Sequence, residues 1–374
     1  MKIVVFYDNE QYNKQNRGYY LACTNKIDYF VEVLNKNNEE VEIISPAMAH
    51  SGEWFYPNTE YRINDKTKVQ LFATSGKRNV FSKIFNRISL RLNLFFYLLK
   101  HTNKGELVHV YHSPFIIRTI SLAKRIKKFG LLLEVEELYG DVWAKKGLKE
   151  KELKYVQIAD KYMFPTNLLN EKINVRNKPY VISYGTYKVE PQIVEKYNDG
   201  KIHLVYAGTF NTRKGGALNT VKIAKYLSEK YVIHIIGFGN KKDTDELIIN
   251  IDEANKTNSC KIIYDGSRRG REYIKYIQKC NIGLSTQNPE GDYNDTSFPS
   301  KILSYMANGL KVLSVSIPVV ESASLGNNVY TYKDIDEKIV SIIKKMDFSE
   351  DPRERIDNLS KTFNSDYISL IKNK

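Results

Sequence analysis

The sequence has few cysteines and no long apolar run, and both absences narrow the possible classes of protein. Only three of 374 residues are cysteines (Cys23, Cys260 and Cys280), and their spacing fits neither a metal site nor a redox pair. We therefore expect buried thiols in a reducing compartment. No apolar run approaches the roughly 18 residues that a membrane span needs. The chain meets Asp8 too early for a secretory signal peptide, so the expected location is cytoplasmic.

Acidic residues are too few to balance the basic ones, which leaves a formal net charge of +14. Such a charge favours an anionic partner: nucleic acid, an acidic membrane surface or a phosphorylated small molecule. The sequence carries no pattern typical of an RRM, a KH domain or a helix-turn-helix. A nucleic-acid binder is therefore suggested by the charge alone, and we do not expect a nucleic-acid partner.

Short apolar strands alternate with amphipathic helices in two successive series, which predicts an α/β protein. Strands are predicted at residues 2–7, 41–45, 106–112, 131–140, 159–166 and 178–183, and then at 202–208, 231–237, 261–266, 281–286 and 310–315. Residues 46–76 look irregular, and residues 184–191 read as a linker. The length favours two domains, predicted at 1–185 and 186–354, with a helix at about 355–374 that packs back on the first.

One stretch, residues 296–315, reads as a loop, a short helix, a tight cap and a buried strand. Ser297 suits the N-cap, Pro299 the first helical position and Gly309 the residue past the helix end. A helix that starts beyond the carboxyl end of a strand favours bound anions such as phosphate. The N–H groups available there would be those of Phe298, Ser300 and Lys301. The alternative is an ordinary capped helix of one more βα unit.

Titratable residues end two predicted strands of the first series. His112 ends one, and Glu136 and Glu137 lie near the end of the next. The carboxyl ends of parallel strands meet at one edge, so these groups are candidates for acid–base work or for binding sugar hydroxyls. A structural histidine and an ordinary salt bridge remain the alternatives.

Residues 77–100 contain no acidic residue and have helical periodicity. Lys83, Arg87 and Arg91 follow one another at intervals of four beside an apolar stripe. The stripe consists of Val80, Phe81, Ile84, Phe85, Ile88, Leu92, Phe95 and Leu99. A basic amphipathic helix is typical of proteins that bind an anionic membrane surface. A helix packed on the core with a basic outer face is equally consistent.

An ordered set of motifs in the second series resembles a known family. The motifs are residues 208–216 (GTFNTRKGG), 236–240 (IGFGN), 264–266 (YDG) and 298–309 (FPSKILSYMANG). In this order they resemble the retaining, nucleotide-sugar-dependent glycosyltransferases of family GT4. The resemblance implies the GT-B fold, in which two Rossmann-like domains face each other across a cleft. It implies a hexosyltransferase-type enzyme that transfers a sugar to a glycan or lipid-linked acceptor in surface polysaccharide or glycoconjugate synthesis.

The resemblance also implies roles for individual residues. Lys214 would neutralise the diphosphate of the donor, and His112 and Glu137 complete the catalytic candidates. Donor binding is assigned to Gly208, Thr209, Lys214, Gly215, Gly237, Gly239, Asp265, Ser297, Phe298, Pro299, Ser300, Lys301 and Ser304. Arg17, Gly18 and Glu136 are placed on the acceptor side. No metal and no cofactor is expected beyond the nucleotide-sugar itself, with a UDP-sugar favoured.

The sequence departs from the family at two positions. Family members usually carry two glutamates eight positions apart, and these positions are Thr296 and Ser304 here. The loss of both carboxylates leaves a second interpretation open, a non-catalytic GT-B subunit that binds nucleotide or partners an active transferase. A sugar-nucleotide epimerase on the same two-domain plan is a further alternative. A transferase held at the inner membrane face through residues 77–100 is the first hypothesis.

Overall fold

The computed structural model describes residues 1–13, 15, 17–19, 21–49, 53–76, 79–142 and 147–373. The chain divides into two compact units. Unit 1 comprises Met1–Thr186 and Phe363–Lys374, and unit 2 comprises Tyr187–Thr362. None of the described helices is long and apolar enough to span a membrane.

The strands of unit 1 are mostly short and apolar. They are β1 (Lys2–Val4), β2 (Arg17–Gly18), β3 (Val41–Ser45), β4 (Met48–Ala49), β5 (Phe55–Tyr56), β6 (Thr59–Asn64), β7 (Thr67–Leu71), β8 (Thr74–Ser75), β9 (Leu107–Tyr111), β10 (Gly130–Glu134), β11 (Lys161–Phe164) and β12 (Tyr180–Ile182). Eight of these described strands form one sheet in the order β12-β11-β10-β9-β1-β3-β7-β6. All neighbours in it are parallel except β6 and β7, which are antiparallel.

The helices of unit 1 cover this sheet. They are α1 (Leu21–Lys36), α2 (Val80–His101), α3 (Ile117–Lys127), α4 (Tyr139–Val142), α5 (Leu148–Val156) and α6 (Asn167–Ile173). Helix α2 starts with a capping box, in which Asn79 accepts from the Ser82 N–H and Ser82 accepts from the Asn79 N–H. Its predicted first residues, 77 and 78, lie outside the described residues.

Two sequence expectations for unit 1 are wrong. Residues 46–76 are not irregular, because they contain β6 and β7. Strand β6 lies at the sheet edge with exposed alternate residues, so it lacks the apolar run that marks a buried strand. The strand predicted at 131–140 ends at Glu134, and a short helix begins at Tyr139.

Unit 2 is a six-stranded parallel sheet in the described part of the chain, with the order β15-β14-β13-β16-β17-β18. Its strands are β13 (Ile202–Phe210), β14 (Tyr231–Gly239), β15 (Lys261–Tyr264), β16 (Ile282–Ser285), β17 (Lys311–Val315) and β18 (Val329–Tyr332). Its helices are α7 (Gly216–Ile223), α8 (Lys241–Thr257), α9 (Gly270–Gln278), α10 (Lys301–Ala307), α11 (Pro318–Glu321) and α12 (Lys338–Lys344), with 3-10 turns at Ala224–Tyr226 and Asp292–Asp295.

The last helix, α13 (Pro352–Lys372), begins in unit 2 and ends in unit 1. Its Tyr367 is fully buried in unit 1, where the hydroxyl lies 3.0 Å from His109 Nδ1. Phe363 stacks on Phe30 of α1, with ring centroids 5.5 Å apart. The predictions of an α/β fold and of a helical tail are confirmed.

Candidate functional site

The amino group of Lys301 lies against the carboxyl end of β13 in unit 2. Its Nζ sits 4.0 Å from the ring centroid of Tyr206. A Cβ added to Gly208 would lie 3.1 Å from the same Nζ. Gly208 therefore leaves the space that the ammonium group occupies, and the aromatic face of Tyr206 supports the cation.

Lys301 and Lys214 carry like charges near one another. Burial, with a further contribution from the positive charge of Lys214, lowers the pKa of Lys301 to about 7. The described residues offer Lys301 no carboxylate that raises this value or pairs with its amino group. Lys214 lies in the exposed loop between β13 and α7, where its C=O accepts from the Asn288 N–H at 2.8 Å. Lys301, which no carboxylate of the described residues neutralises, therefore forms with the nearby charge of Lys214 a site suited to an anion.

Glycine at the end of β14 allows two strand ends to approach each other. Gly237 has φ 148°, and a Cβ there would lie 1.8 Å from the Gly208 carbonyl oxygen, so a side chain cannot fit. The Gly237 N–H donates to the Gly266 carbonyl at 2.9 Å. Gly239 pairs with Phe210 across β13 and β14. Three of the predicted glycines and Lys301 therefore surround the same strand ends.

The remaining predicted donor residues of the β13–α7 and β15 loops lie at the same sheet edge. The Tyr206 hydroxyl donates to the Thr209 carbonyl at 3.2 Å. Gly215, at φ 67°, is the N-cap of α7. Asp265 directly follows β15, its N–H donates to the Ile235 carbonyl at 3.1 Å, and its carboxylate accepts from the Tyr276 hydroxyl.

The predicted start of the short helix is wrong. Helix α10 begins at Lys301 with Ser300 at the N-cap, so Ser297 is not the cap and Pro299 is not the first helical residue. A proline disfavours the helical conformation in the residue before it. Phe298, which precedes Pro299, is therefore not part of the helix. The Pro299 carbonyl instead accepts from the Ile302 N–H at 3.0 Å, and Phe298 is buried in the loop.

The hydroxyl of Ser304 already has a partner within unit 2. Its Oγ lies 3.1 Å from the Tyr273 hydroxyl of α9. Thr296, the other position at which family members carry glutamate, is buried. Tyr305, the next residue of α10, is fully buried, accepts from the Ala207 N–H at 2.8 Å and donates to the Leu284 carbonyl at 3.3 Å. These contacts fix α10 on β13 and β16, and with it the position of Lys301.

In unit 1, His112 is held by a residue that sequence reasoning missed. His112 follows β9 and is buried, and its Nε2 lies 2.6 Å from Oε1 of Glu152. Glu152 also accepts from the N–H groups of Tyr139 and Gly140 at 3.0 and 2.9 Å, so it binds the free N–H groups at the start of α4. Glu152 lies four residues before buried Val156 on α5, and an acidic residue on an apolar helix face was the signal available.

The acceptor-side candidates of unit 1 are bound to neighbouring groups of the same unit. Lys26 lies 3.1 Å from Glu134 and also contacts Glu136, and burial raises the pKa of Glu136. Arg17 is buried and donates to the carbonyls of Phe72 and Pro57 at 2.7 and 2.5 Å. Gly18 pairs with Met48 in the small β2–β4 sheet, and Glu137 is half-buried. Among the described residues no cluster of His, Cys, Asp or Glu is placed to hold a metal ion.

Comparison with known proteins identifies the fold. No family model and no curated protein sequence matches the chain. Solved structures do: an Escherichia coli trehalose-6-phosphate protein bound with UDP-2-fluoro glucose has a TM-score of 0.71 at 10% identity, with 100% of both chains covered. The fold is GT-B. Two further structures with this fold are trehalose-6-phosphate synthase OtsA (TM-score 0.68, 10% identity, 100% of this chain and 99% of that one) and the UDP-forming α,α-trehalose-phosphate synthase of Burkholderia xenovorans in complex with glucose-6-phosphate (0.67, 9%, 100% of both).

Proposed function

We propose that the protein is a retaining, metal-independent glycosyltransferase that moves a hexose from a nucleotide-sugar donor to an acceptor. The observation that carries this proposal is the Lys301–Lys214 pair at the carboxyl end of β13, in a chain with the GT-B fold. Within this fold we place the chain beside the GT4 enzymes, because the motifs of unit 2 resemble theirs.

The chemistry fits the charge distribution of unit 2. Cleavage of the bond between sugar and phosphate leaves a nucleoside diphosphate, and the protein's main task is to stabilise that developing charge. Lys214 and Lys301 would supply positive charge to the phosphates, and Gly208 leaves the space in which the Lys301 amino group lies. Asp265 and Gly266 would lie beside the nucleoside. The roles of His112 and Glu137 toward the sugar stay predictions from the resemblance.

A UDP-hexose is the donor we propose, since one structure with this fold was solved with UDP-2-fluoro glucose. The acceptor is less constrained. Another such structure holds glucose-6-phosphate, which makes a sugar phosphate one candidate class. A lipid-linked or glycan acceptor in polysaccharide synthesis is the other, and helix α2 supports it.

The first half of α2 exposes an apolar and basic surface. Phe81 is 83% exposed and Phe85 60%, whereas Leu94 and Leu98 in the second half are buried. Lys83 and the other cations of this helix have no acidic neighbour in sequence from residue 77 to 105. Each basic residue near an anionic leaflet contributes about 1 kcal/mol. We therefore propose that the exposed half of α2 contacts an anionic membrane surface on the cytoplasmic side.

Co-sedimentation with vesicles tests the membrane contact. Binding to vesicles rich in anionic lipid, weak binding to neutral ones, and loss of binding in Phe81→Ser/Phe85→Ser are expected. A variant with Lys275→Ser, an exposed lysine of unit 2, is the control. Equal binding to neutral vesicles, or a stable dimer that buries α2 and ignores vesicles, contradicts the proposal.

Substitution of the two lysines tests the transferase itself. We expect Lys214→Ala and Lys301→Met to remove transfer and to weaken binding of UDP-sugars by about 10- to 100-fold, because charge-assisted hydrogen bonds contribute about 1.5–3 kcal/mol. Calorimetry and a transfer assay over a panel of UDP-, GDP- and CMP-sugars provide the measurement. Lys275→Ala, at the same control position, is the matched control. Unchanged binding and transfer in both variants would refute the site.

The missing family carboxylates keep a non-catalytic GT-B subunit as a second candidate. Thr296 and Ser304 occupy those positions, and the Ser304 hydroxyl is paired with Tyr273. The same experiment separates the two functions. Lysine-dependent nucleotide binding without transfer or donor hydrolysis across the panel supports the subunit, whereas transfer of any donor sugar excludes it.

A further inference from the structure

A continuous chain of hydrogen bonds crosses the interior of unit 2. His203 Nε2 lies 3.0 Å from Asp199 Oδ1, and His203 Nδ1 lies 2.8 Å from His234 Nε2. His234 Nδ1 lies 2.8 Å from the Tyr276 hydroxyl, and that hydroxyl donates to Asp265. The chain therefore joins the start of β13 to the loop after β15, where the proposed nucleoside site lies.

Both ends of this hydrogen-bond chain meet solvent, and the two histidines between them are buried. The side chains of Asp199 and Asp265 are 51% and 30% exposed, whereas both histidines are buried. The ring of Tyr197 stacks on His203 and His234, with centroids 4.1 and 5.3 Å away. The two imidazoles are thus held in place, and because they hydrogen-bond each other, a change of protonation at one ring changes which nitrogen of the other carries its proton.

The direction of the hydrogen bonds follows from the chemistry of the end groups. A carboxylate only accepts, so His203 carries a proton on Nε2 toward Asp199. If His203 is cationic, its Nδ1–H donates to His234 Nε2. His234 then carries its proton on Nδ1 and donates to the Tyr276 oxygen, which leaves the Tyr276 proton for Asp265.

Loss of one proton from His203 reverses the direction of the hydrogen bonds that join His203, His234 and Tyr276. Neutral His203 keeps the Nε2 proton and accepts at Nδ1, so His234 must carry its proton on Nε2. His234 Nδ1 then accepts, and the Tyr276 hydroxyl donates to it instead of to Asp265. One proton has left to solvent, no group is oxidised or reduced, and the Asp265 carboxylate is free for another donor.

Of the two rings, His203 is the one that contacts the Asp199 carboxylate, and the surroundings of His234 disfavour a charge there. Burial, and next the charge of His203, lower the pKa of His234 to about 4, so His234 stays neutral. Burial also raises the pKa of Tyr276, which keeps its hydroxyl a donor. The other titratable or charged groups facing the chain are Tyr197, Lys279, Arg268 and Cys280. The two cations contact ring faces, and burial raises the pKa of the Cys280 thiol to about 12.

We propose that His203 is a protonation switch that decides whether Tyr276 holds the Asp265 carboxylate, and that it thereby tunes the nucleoside site. The link to the site is short: Asp265 precedes Gly266, whose carbonyl accepts from the Gly237 N–H. The nucleoside part of the inference rests on the proposed function. The ligand that reads the switch is a nucleoside with an N–H or O–H donor toward Asp265.

Histidine NMR on the wild-type protein tests the switch without any ligand. Long-range ¹H–¹⁵N spectra distinguish a proton on Nδ1 from one on Nε2, and His203→Gln and His234→Gln assign the signals among the six histidines. We expect the His234 proton to move from Nδ1 to Nε2 with the same midpoint at which His203 loses its charge. A His234 tautomer that stays unchanged while His203 titrates overturns the proposal.

Nucleotide affinity provides the second arm. Tyr276→Phe cannot donate to Asp265, so at the acidic end it should bind UDP-glucose about three- to tenfold more tightly than wild type, the effect of one hydrogen bond. At the alkaline end, the variant and the wild type should bind UDP-glucose equally well. The pH dependence that Lys301 contributes is common to both proteins, so it cancels in the ratio of their affinities. A constant ratio across pH overturns the coupling to the site. If no nucleotide binds while the His234 tautomer still moves, the proposed function fails and the switch stands.

Discussion

The two units share an α/β architecture, and the groups around Lys26 carry the opposite charge to the group near Lys301. In unit 1, Lys26 is buried between Glu134 and Glu136, and Arg17 donates to two backbone carbonyls. In unit 2, Lys301 rests on the Tyr206 ring beside Lys214, and no carboxylate of the described residues supports its charge.

Under the proposed function, this difference in the charges around the two lysines bears on which unit receives the anion. A protein tolerates a desolvated charge at a cost, and a compensating partner normally lies nearby. Unit 1 supplies the partners of Lys26 itself, from Glu134 and Glu136. Unit 2 leaves the partner of Lys301 to be supplied from outside, which fits an anion such as a diphosphate.

The largest effect that this comparison predicts is on the stability of unit 1. Lys26→Met removes the cation between two carboxylates and leaves Glu134, which is fully buried, without the ammonium group that balances its charge. Removing one member of a buried ion pair costs about 3–5 kcal/mol. Urea unfolding followed by tryptophan fluorescence measures this, because Trp54, one of the two tryptophans of the chain, lies in unit 1.

The matched change in unit 2 should have the opposite character. Lys301→Met removes a desolvated charge without leaving an unpaired carboxylate, so we expect unit 2 to keep its stability or to gain slightly. Hydrogen-exchange mass spectrometry resolves the two units separately. A loss in unit 2 as large as the loss in unit 1 would show that Lys301 is a structural ion-pair member and would remove the basis of the comparison.

The sequence was informative about the sheets because buried parallel strands are continuous apolar runs. Strand β3 was predicted with its observed bounds, and β9, β13 and β14 were predicted to within two residues at either end. Strand β6 escaped because an edge strand exposes alternate residues and pairs on one side only. Local pattern thus identifies elements that bury both faces and misses those that do not.

The candidate site was less accessible to sequence reasoning because its key contacts join distant residues. Gly208 and Lys301 were both predicted as donor residues, but the contact of the Lys301 amino group with Gly208 and Tyr206 spans more than 90 positions. The resemblance offered the backbone N–H of Lys301, whereas the structure places its side chain at the site. Glu152 was missed for the same reason, since its partner His112 lies 40 positions earlier.

The next prediction concerns how nucleotide affinity depends on pH, and the expected effect is smaller. The Lys301 amino group of the free protein loses its proton near pH 7, below the usual range for lysine. A bound diphosphate favours the charged form and raises the pKa, so binding above pH 7 takes up a proton. Affinity should therefore fall as pH rises beyond about 7, by up to about tenfold per pH unit.

Calorimetry with UDP-glucose measures this dependence, because its diphosphate does not titrate in the same range. Calorimetric titrations in two buffers with different ionisation enthalpies give the number of protons taken up on binding. In Lys301→Met the proton uptake should disappear and the pH dependence should flatten. Affinity that is constant or rises from neutral to alkaline pH in the wild type, with no proton uptake, contradicts the assignment of an anion to Lys301.

The smallest effect concerns the position at which family members carry a glutamate. The Ser304 hydroxyl is 3.1 Å from the Tyr273 hydroxyl, so it is satisfied within unit 2 and has little to offer a ribose. Ser304→Ala should therefore change UDP-glucose affinity by less than about threefold, with Tyr273→Phe as the control that frees the serine hydroxyl without removing it. If Ser304→Ala weakens binding by more than tenfold while Tyr273→Phe leaves it intact, the serine has taken over the ribose contact. In that case the charge contrast between the units would describe only the phosphate half of the site.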